Sequence, residues 1–184
     1  PATSSAASDV YKRQGFAELF DDRWCIITPL KNNKKSHINK VKNLWKSLGS
    51  DVEVMSPQRH DRVMAITSHL PHLIAYNIVS TAADLENVTK SDIIKYSASG
   101  FRDFTRIASS DPTMWRDIFL NNKEAVLEMI SRFTEDLTAL QKSIRWEDGK
   151  SLHKLFSKTR KVRDKIISAG QDTVDADFGR SKKR

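Results

Sequence analysis

Two hydrophobic rhythms divide this chain. From residue 15 to about 57 the pattern is strand, helix, strand. The run "RWCIITP" is short, apolar and stopped by Pro29, as a buried strand would be. Ile38, Val41, Leu44, Trp45 and Leu48 then recur at helical spacing, which predicts a helix from about Ser36 to Leu48, with Gly49 where a C-terminal cap glycine belongs. "DVEVMSP" alternates Val52 and Val54 and ends at a proline, predicting a second strand. A lone βαβ unit needs more sheet around it, so residues 15–57 read as the end of a domain whose beginning is missing from this sequence.

From Gln58 onward the rhythm is helical. Val63, Ile66, Leu70, Leu73, Ile74 and Ile78 make one stripe. Pro71 lies inside it, which should remove one helical hydrogen bond, free the carbonyl of Thr67 and kink the helix. Ser91 is placed to cap a short helix through Tyr96, and Gly100 to break it. "SSDP" is a helix start, with Ser110 or Asp111 as the cap and Pro112 in the first turn. A long helix is expected from Lys123 to Arg145, with apolar positions 126, 130, 133, 137, 140 and 144 alternating steps of four and three like a packed seam. A last helix spans roughly Gly149 to Ala169. The class expected is mainly α: a helical domain over 58–169 after the βαβ piece. Residues 170–184 form a basic tail expected to be disordered. Residues 1–14, "PATSSAASDVYKRQ", look unrelated to the rest of the chain and read as a non-native junction.

Composition adds less. At 39% hydrophobic residues the chain can bury a core. It has no run of about 18 apolar residues, so no membrane span is expected, and no charged-then-apolar leader pattern is visible. The single Cys25 can form no internal disulfide, and five His share no metal-ligand spacing. These features suit a cytoplasmic protein without a structural metal. The formal charge of +8 raises the question of nucleic acid. Residues 145–184, however, hold 12 Lys or Arg against 6 Asp or Glu, so most of the excess sits in the last helix and tail rather than in a patch interleaved with aromatics. A solvated helix face explains it. A basic helical nucleic-acid module is the remote alternative, and it would bind with steep salt dependence.

Candidate chemistry gathers in two stretches. His69 and His72 flank Pro71, about 60° apart around a helix, and Asp61 lies eleven residues before His72, on almost the same α-helical face. They are either surface or cap histidines or members of a site marked by the irregular backbone. In "SGFRDFTRIASSDPTMWRDIF", Asp103 and Arg106 have the spacing of an ordinary helix-surface ion pair. Phe101, Phe104 and Ile107 would put Arg106 at the edge of a core, where its planar fork could equally hold a substrate carboxylate. Trp115 and Phe119 read as core or interface aromatics. There is no G-x-G-x-x-G turn, no Walker loop and no Ser or Cys nucleophile motif.

"SHLPHLIAYNIV" and "SGFRDFTRIASSDPTMWRDIF" closely resemble the C-terminal helical domain of prephenate dehydrogenases, including their arogenate and cyclohexadienyl variants. "GFAELFDDRWCIITP" resembles the end of that family's nucleotide-binding domain. The resemblance covers residues 15 to about 145 and fades in the last helix. It implies an oxidoreductase that uses NAD or NADP for oxidative decarboxylation of prephenate to 4-hydroxyphenylpyruvate, with arogenate as the alternative substrate. It implies a homodimer built on the C-terminal helices. It also implies that Arg106 binds a substrate carboxylate, that His72 faces the substrate with His69 in support, and that Asp103 and Trp115 lie in an ionic network at the dimer-related pocket edge. Asp61 matches a His-Asp pair at the start of the interdomain helix. The family's catalytic histidine and its cofactor-binding glycines belong upstream of residue 15, so no catalytic or cofactor-binding residue is expected here and the chain alone should be inactive.

Overall fold

The computed structural model describes residues 17–89, 92 and 94–168. The expected junction at 1–14, the tail at 170–184, the cap at Ser91 and the helix end at Ala169 lie outside these residues. The chain divides between Val63 and Met64 into two compact units.

In the first unit a 3-10 turn, Ala17–Phe20, leads into β1, Trp24–Ile27; α1, Lys35–Ser47, comes next, and then β2, Asp51–Val54. The strands pair in parallel with Trp24 opposite Asp51 and Ile27 opposite Val54, so α1 is the crossover of a βαβ unit. Its C-terminus closes as a Schellman motif. Gly49 stands at φ +89°, its N–H bonds the Lys46 carbonyl at 3.1 Å, and the Ser50 N–H bonds the Trp45 carbonyl at 3.1 Å. A Cβ on Gly49 would run into the Asp21 carboxylate. The Phe20 and Trp45 rings meet edge to face at 5.1 Å, and the Ser50 hydroxyl donates to the Phe20 carbonyl at 3.3 Å. The expected burial of this unit is not found. No residue of either strand or of α1 is buried, because a sheet of two strands covers little of a helix face.

After α2, Pro57–Met64, every regular element of the second unit among its described residues is a helix. It opens with a π-helical segment, Ala65–His69, followed by α3, Leu70–Thr89, and α4, Ser99–Thr105. A 3-10 turn over Arg106–Ser109 leads to α5, Pro112–Asn121, α6, Lys123–Arg145, and α7, Gly149–Ser168. The π segment is how the chain accommodates Pro71. The Leu70 N–H reaches the Ala65 carbonyl, five residues back, so the ladder is reset one residue before the proline. Thr67, expected to be left with a free carbonyl, is not without a partner. Asp111 caps α5, accepting the Met114 N–H at 2.8 Å, with Pro112 in the first turn. Residues 94–96 form a turn rather than part of a helix, and Gly100 lies inside the first turn of α4 instead of breaking a helix before it.

The buried apolar residues of this unit are Ala65, Leu70, Ala75, Trp115 and Val126. They mark where the π segment, α3, α5 and α6 converge. The expected seam of α6 starts in this core at Val126 but leaves it, since Leu137 is 52% and Ile144 65% exposed. An open apolar groove of about 530 Å³ runs between α3 and α6, walled by Leu73, Ile74, Ile78, Ile130, Phe133 and Leu137. A single copy of this unit does not cover these side chains.

Candidate functional site

Trp115 organises the site. Its indole is 6% exposed and stands between the π segment, the start of α3 and Phe119 on its own helix. The His72 imidazole stacks on it with centroids 3.6 Å apart and planes 21° apart. His69 meets it edge-on at 6.1 Å, and Phe119 packs at 5.5 Å. The expectation of Trp115 as a core aromatic holds, and the rings it meets there include two histidines. Its Nε1–H is buried and has no acceptor among the described residues. An unmet buried donor costs about 1–3 kcal/mol, so it calls for an explanation.

Backbone irregularity fixes the histidines. His72 Nδ1 lies 2.9 Å from the Ser68 carbonyl, which can only accept, so Nδ1 carries the proton and, in the neutral ring, Nε2 carries the lone pair. His69 Nδ1 lies 3.1 Å from the Asn122 side-chain amide nitrogen, at the junction of α5 and α6. On α3, the Tyr76 hydroxyl donates to the Ser110 carbonyl at 2.7 Å and anchors the end of the Arg106 turn.

Arg106 does not sit where its spacing suggested. The helix ends at Thr105, and Arg106 opens the 3-10 turn with its side chain exposed. No ion pair with Asp103 forms, although the backbone stays helical through Arg106. The expected half-buried edge is also missing, because Phe104 remains 42% exposed. Among the described residues the Arg106 guanidinium has no carboxylate partner. Asp61 belongs to the first unit, where its carboxylate and His60 Nδ1 are 3.0 Å apart. The π segment intervenes before His72, so the α-helical arithmetic that aligned the two residues does not apply. Asn122, Tyr76 and the Ser68 carbonyl were not legible as site residues. Asn122 stands in an "NN" helix junction, where asparagine is ordinary, and nothing in the sequence joins it to His69.

Among the described residues no group of three or more His, Cys, Asp or Glu gathers to hold a metal, and no helix is long and apolar enough to cross a membrane. The residues between β1 and α1 contain no glycine, and the α1 cap, Lys34, contributes no side-chain bond. They do not fit a dinucleotide pyrophosphate, which needs a glycine turn at a helix start.

A βαβ piece is thus followed by a helical unit built around a His–Trp cluster. Residues 56–158 match the family described as prephenate dehydrogenase, dimerization domain, and the chain belongs to that family. It is 40% identical over 149 residues to a cyclohexadienyl dehydrogenase of Zymomonas mobilis, covering 81% of this chain and 51% of that protein. It is 34% identical over 164 residues to a prephenate dehydrogenase of Bacillus subtilis, covering 89% of this chain and 43% of that one. The crystal structure of the A. aeolicus prephenate dehydrogenase, solved with hydroxyphenyl propionate and NAD+, superimposes with a TM-score of 0.78 at 39% identity, over 84% of this chain and 54% of that one. The chain spans about half the length of the curated relatives it matches.

Proposed function

We propose that this chain is the substrate-carboxylate and dimer-forming part of an NAD(P)-dependent dehydrogenase that converts prephenate to 4-hydroxyphenylpyruvate. The observation that carries the reading is the unpaired Arg106 guanidinium, held on a turn that Tyr76 ties to the same helix that bears His72. Prephenate is a dianion that loses one carboxylate and keeps the other. A fixed guanidinium can hold the retained carboxylate and orient the ring. His72, with Nδ1 committed to Ser68, has Nε2 as a lone-pair acceptor for a substrate hydroxyl. Asp103 and Trp115 are read as members of an ionic network at the dimer-related edge of the substrate pocket. NAD or NADP accepts the hydride when bound, and the chain's own residues bind and orient the substrate.

In the full-length enzyme containing this segment, Arg106→Gln is expected to raise KM for prephenate about 10- to 100-fold, the equivalent of the ~1.5–3 kcal/mol carried by a hydrogen bond to a charged group. An unchanged KM would overturn the role of Arg106. The 184-residue chain alone, mixed with NAD and prephenate, is expected to produce no NADH absorbance. The dimer reading rests on the family's dimerization domain and on the apolar groove between α3 and α6.

A further inference from the structure

The two histidines on Trp115 are held by partners of opposite hydrogen-bonding character. Ser68 offers His72 Nδ1 a carbonyl, which accepts. Asn122 offers His69 Nδ1 an amide nitrogen, which donates, at 3.1 Å and from 53 residues away. Neutral imidazole carries one N–H and one lone pair, so these contacts dictate opposite tautomers. We propose that Asn122 is a positioning residue that holds His69 in the Nε2–H form. The site then presents two unlike imidazoles three residues apart: His69 with its proton on Nε2 and His72 with its proton on Nδ1.

The placement of Asn122 suits this task. It ends α5 with its backbone N–H on the Ile118 carbonyl and stands at the cap position of α6 without a capping bond from its own side chain. The side chain is therefore not used to start α6. Because α5 also carries Trp115, the residue that orients His69 and the ring that both histidines pack against share one helix. Any displacement of α5 would move both together. The consequence is an asymmetric pair of Nε2 atoms, a proton on His69 and a lone pair on His72, suited to a polar group that both gives and takes a hydrogen bond, such as a hydroxyl. That consequence rests on the proposed substrate role of the histidines; the tautomer assignment does not.

Long-range proton–nitrogen correlation spectra of the 15N-labelled chain, recorded well above the ordinary histidine pKa of about 6.5, test the assignment. The variants His69→Gln and His72→Gln identify the two rings. His69 is expected to show the Nε2–H pattern and His72 the Nδ1–H pattern. In Asn122→Asp the carboxylate can only accept, so the two His69 nitrogens should exchange their shifts and the His69 titration midpoint should move up, while His72 keeps its pattern. A wild-type His69 in the Nδ1–H form overturns the proposal, and that reading needs only the two variants that assign the rings, not Asn122→Asp. A His69 pattern unchanged in Asn122→Asp, with His72 intact, overturns it equally. A substrate that proves to bind elsewhere would leave all these spectra as expected, so failure of the functional reading is distinguishable from failure of this one.

Discussion

Replacing Trp115 separates its packing from its polar handle. Trp115→Ala empties a site that is 6% exposed and removes the stack on His72 at 3.6 Å. Loss of a buried aromatic of this size costs about 3–5 kcal/mol. Trp115→Phe keeps a ring against His72 and Phe119 but leaves a void of roughly 40 Å³, which at ~24 cal/mol per Å³ costs about 1 kcal/mol. The same change deletes a buried N–H that has no acceptor among the described residues, which returns about 1–3 kcal/mol. The net expectation for Trp115→Phe is a stability between unchanged and about 2 kcal/mol higher. Urea unfolding followed by far-UV circular dichroism, at one fixed protein concentration because association adds to stability, measures both variants. If Trp115→Phe loses as much as Trp115→Ala, the indole N–H has a partner in the folded protein and the argument from an unmet donor collapses. If Trp115→Phe is as stable as the wild type or more so, and full-length enzyme carrying it turns over less, the donor is retained for function at a cost in stability.

Gly49→Ala places a Cβ against the Asp21 carboxylate at a φ of +89°; it is expected to cost at least about 1 kcal/mol, read as earlier loss of the Trp45 fluorescence signal on heating against a background with the other tryptophans replaced. Leu137→Asp, in the groove between α3 and α6, is expected to shift the chain from dimer to monomer in sedimentation velocity, and a dimer of unchanged strength would remove the groove from the interface. Asp148 accepts the Ser151 N–H at 3.0 Å at the start of α7, and its bonds with Ser151 hold its carboxyl below the ordinary value of 3.8. A depressed carboxyl stabilises above its unfolded value and loses that contribution as pH falls through the folded one. Helicity of the wild type should therefore decline toward Asp148→Asn levels only below about pH 4, and a wild-type advantage that persists at much lower pH would refute the cap.

The elements legible from sequence were those whose boundaries are written in local chemistry. Pro29 and Gly49 bracket β1 and α1, Asp111 and Pro112 start α5, and the four-three spacing from Val126 to Ile144 runs the length of α6. What spacing could not supply was how much each face would be covered. The α1 and α6 stripes have the periodicity of packed helices, yet Leu44 and Ile144 stay exposed, because periodicity reports which side is apolar and not whether anything lies against it. The site follows the same logic. Pro71 announces an irregularity, but a kink and a π segment both answer the same missing N–H, and here the π segment brings the Leu70 N–H to Ala65, with the Ser68 carbonyl on His72. Arg106 illustrates the limit of helical arithmetic most directly. The i,i+3 rule paired it with Asp103, but the rule says that two side chains can reach each other and not that they do. The guanidinium that local pattern would have paired with an intrachain carboxylate is left exposed on the turn that Tyr76 anchors, the position from which the proposed function has it meet a substrate carboxylate.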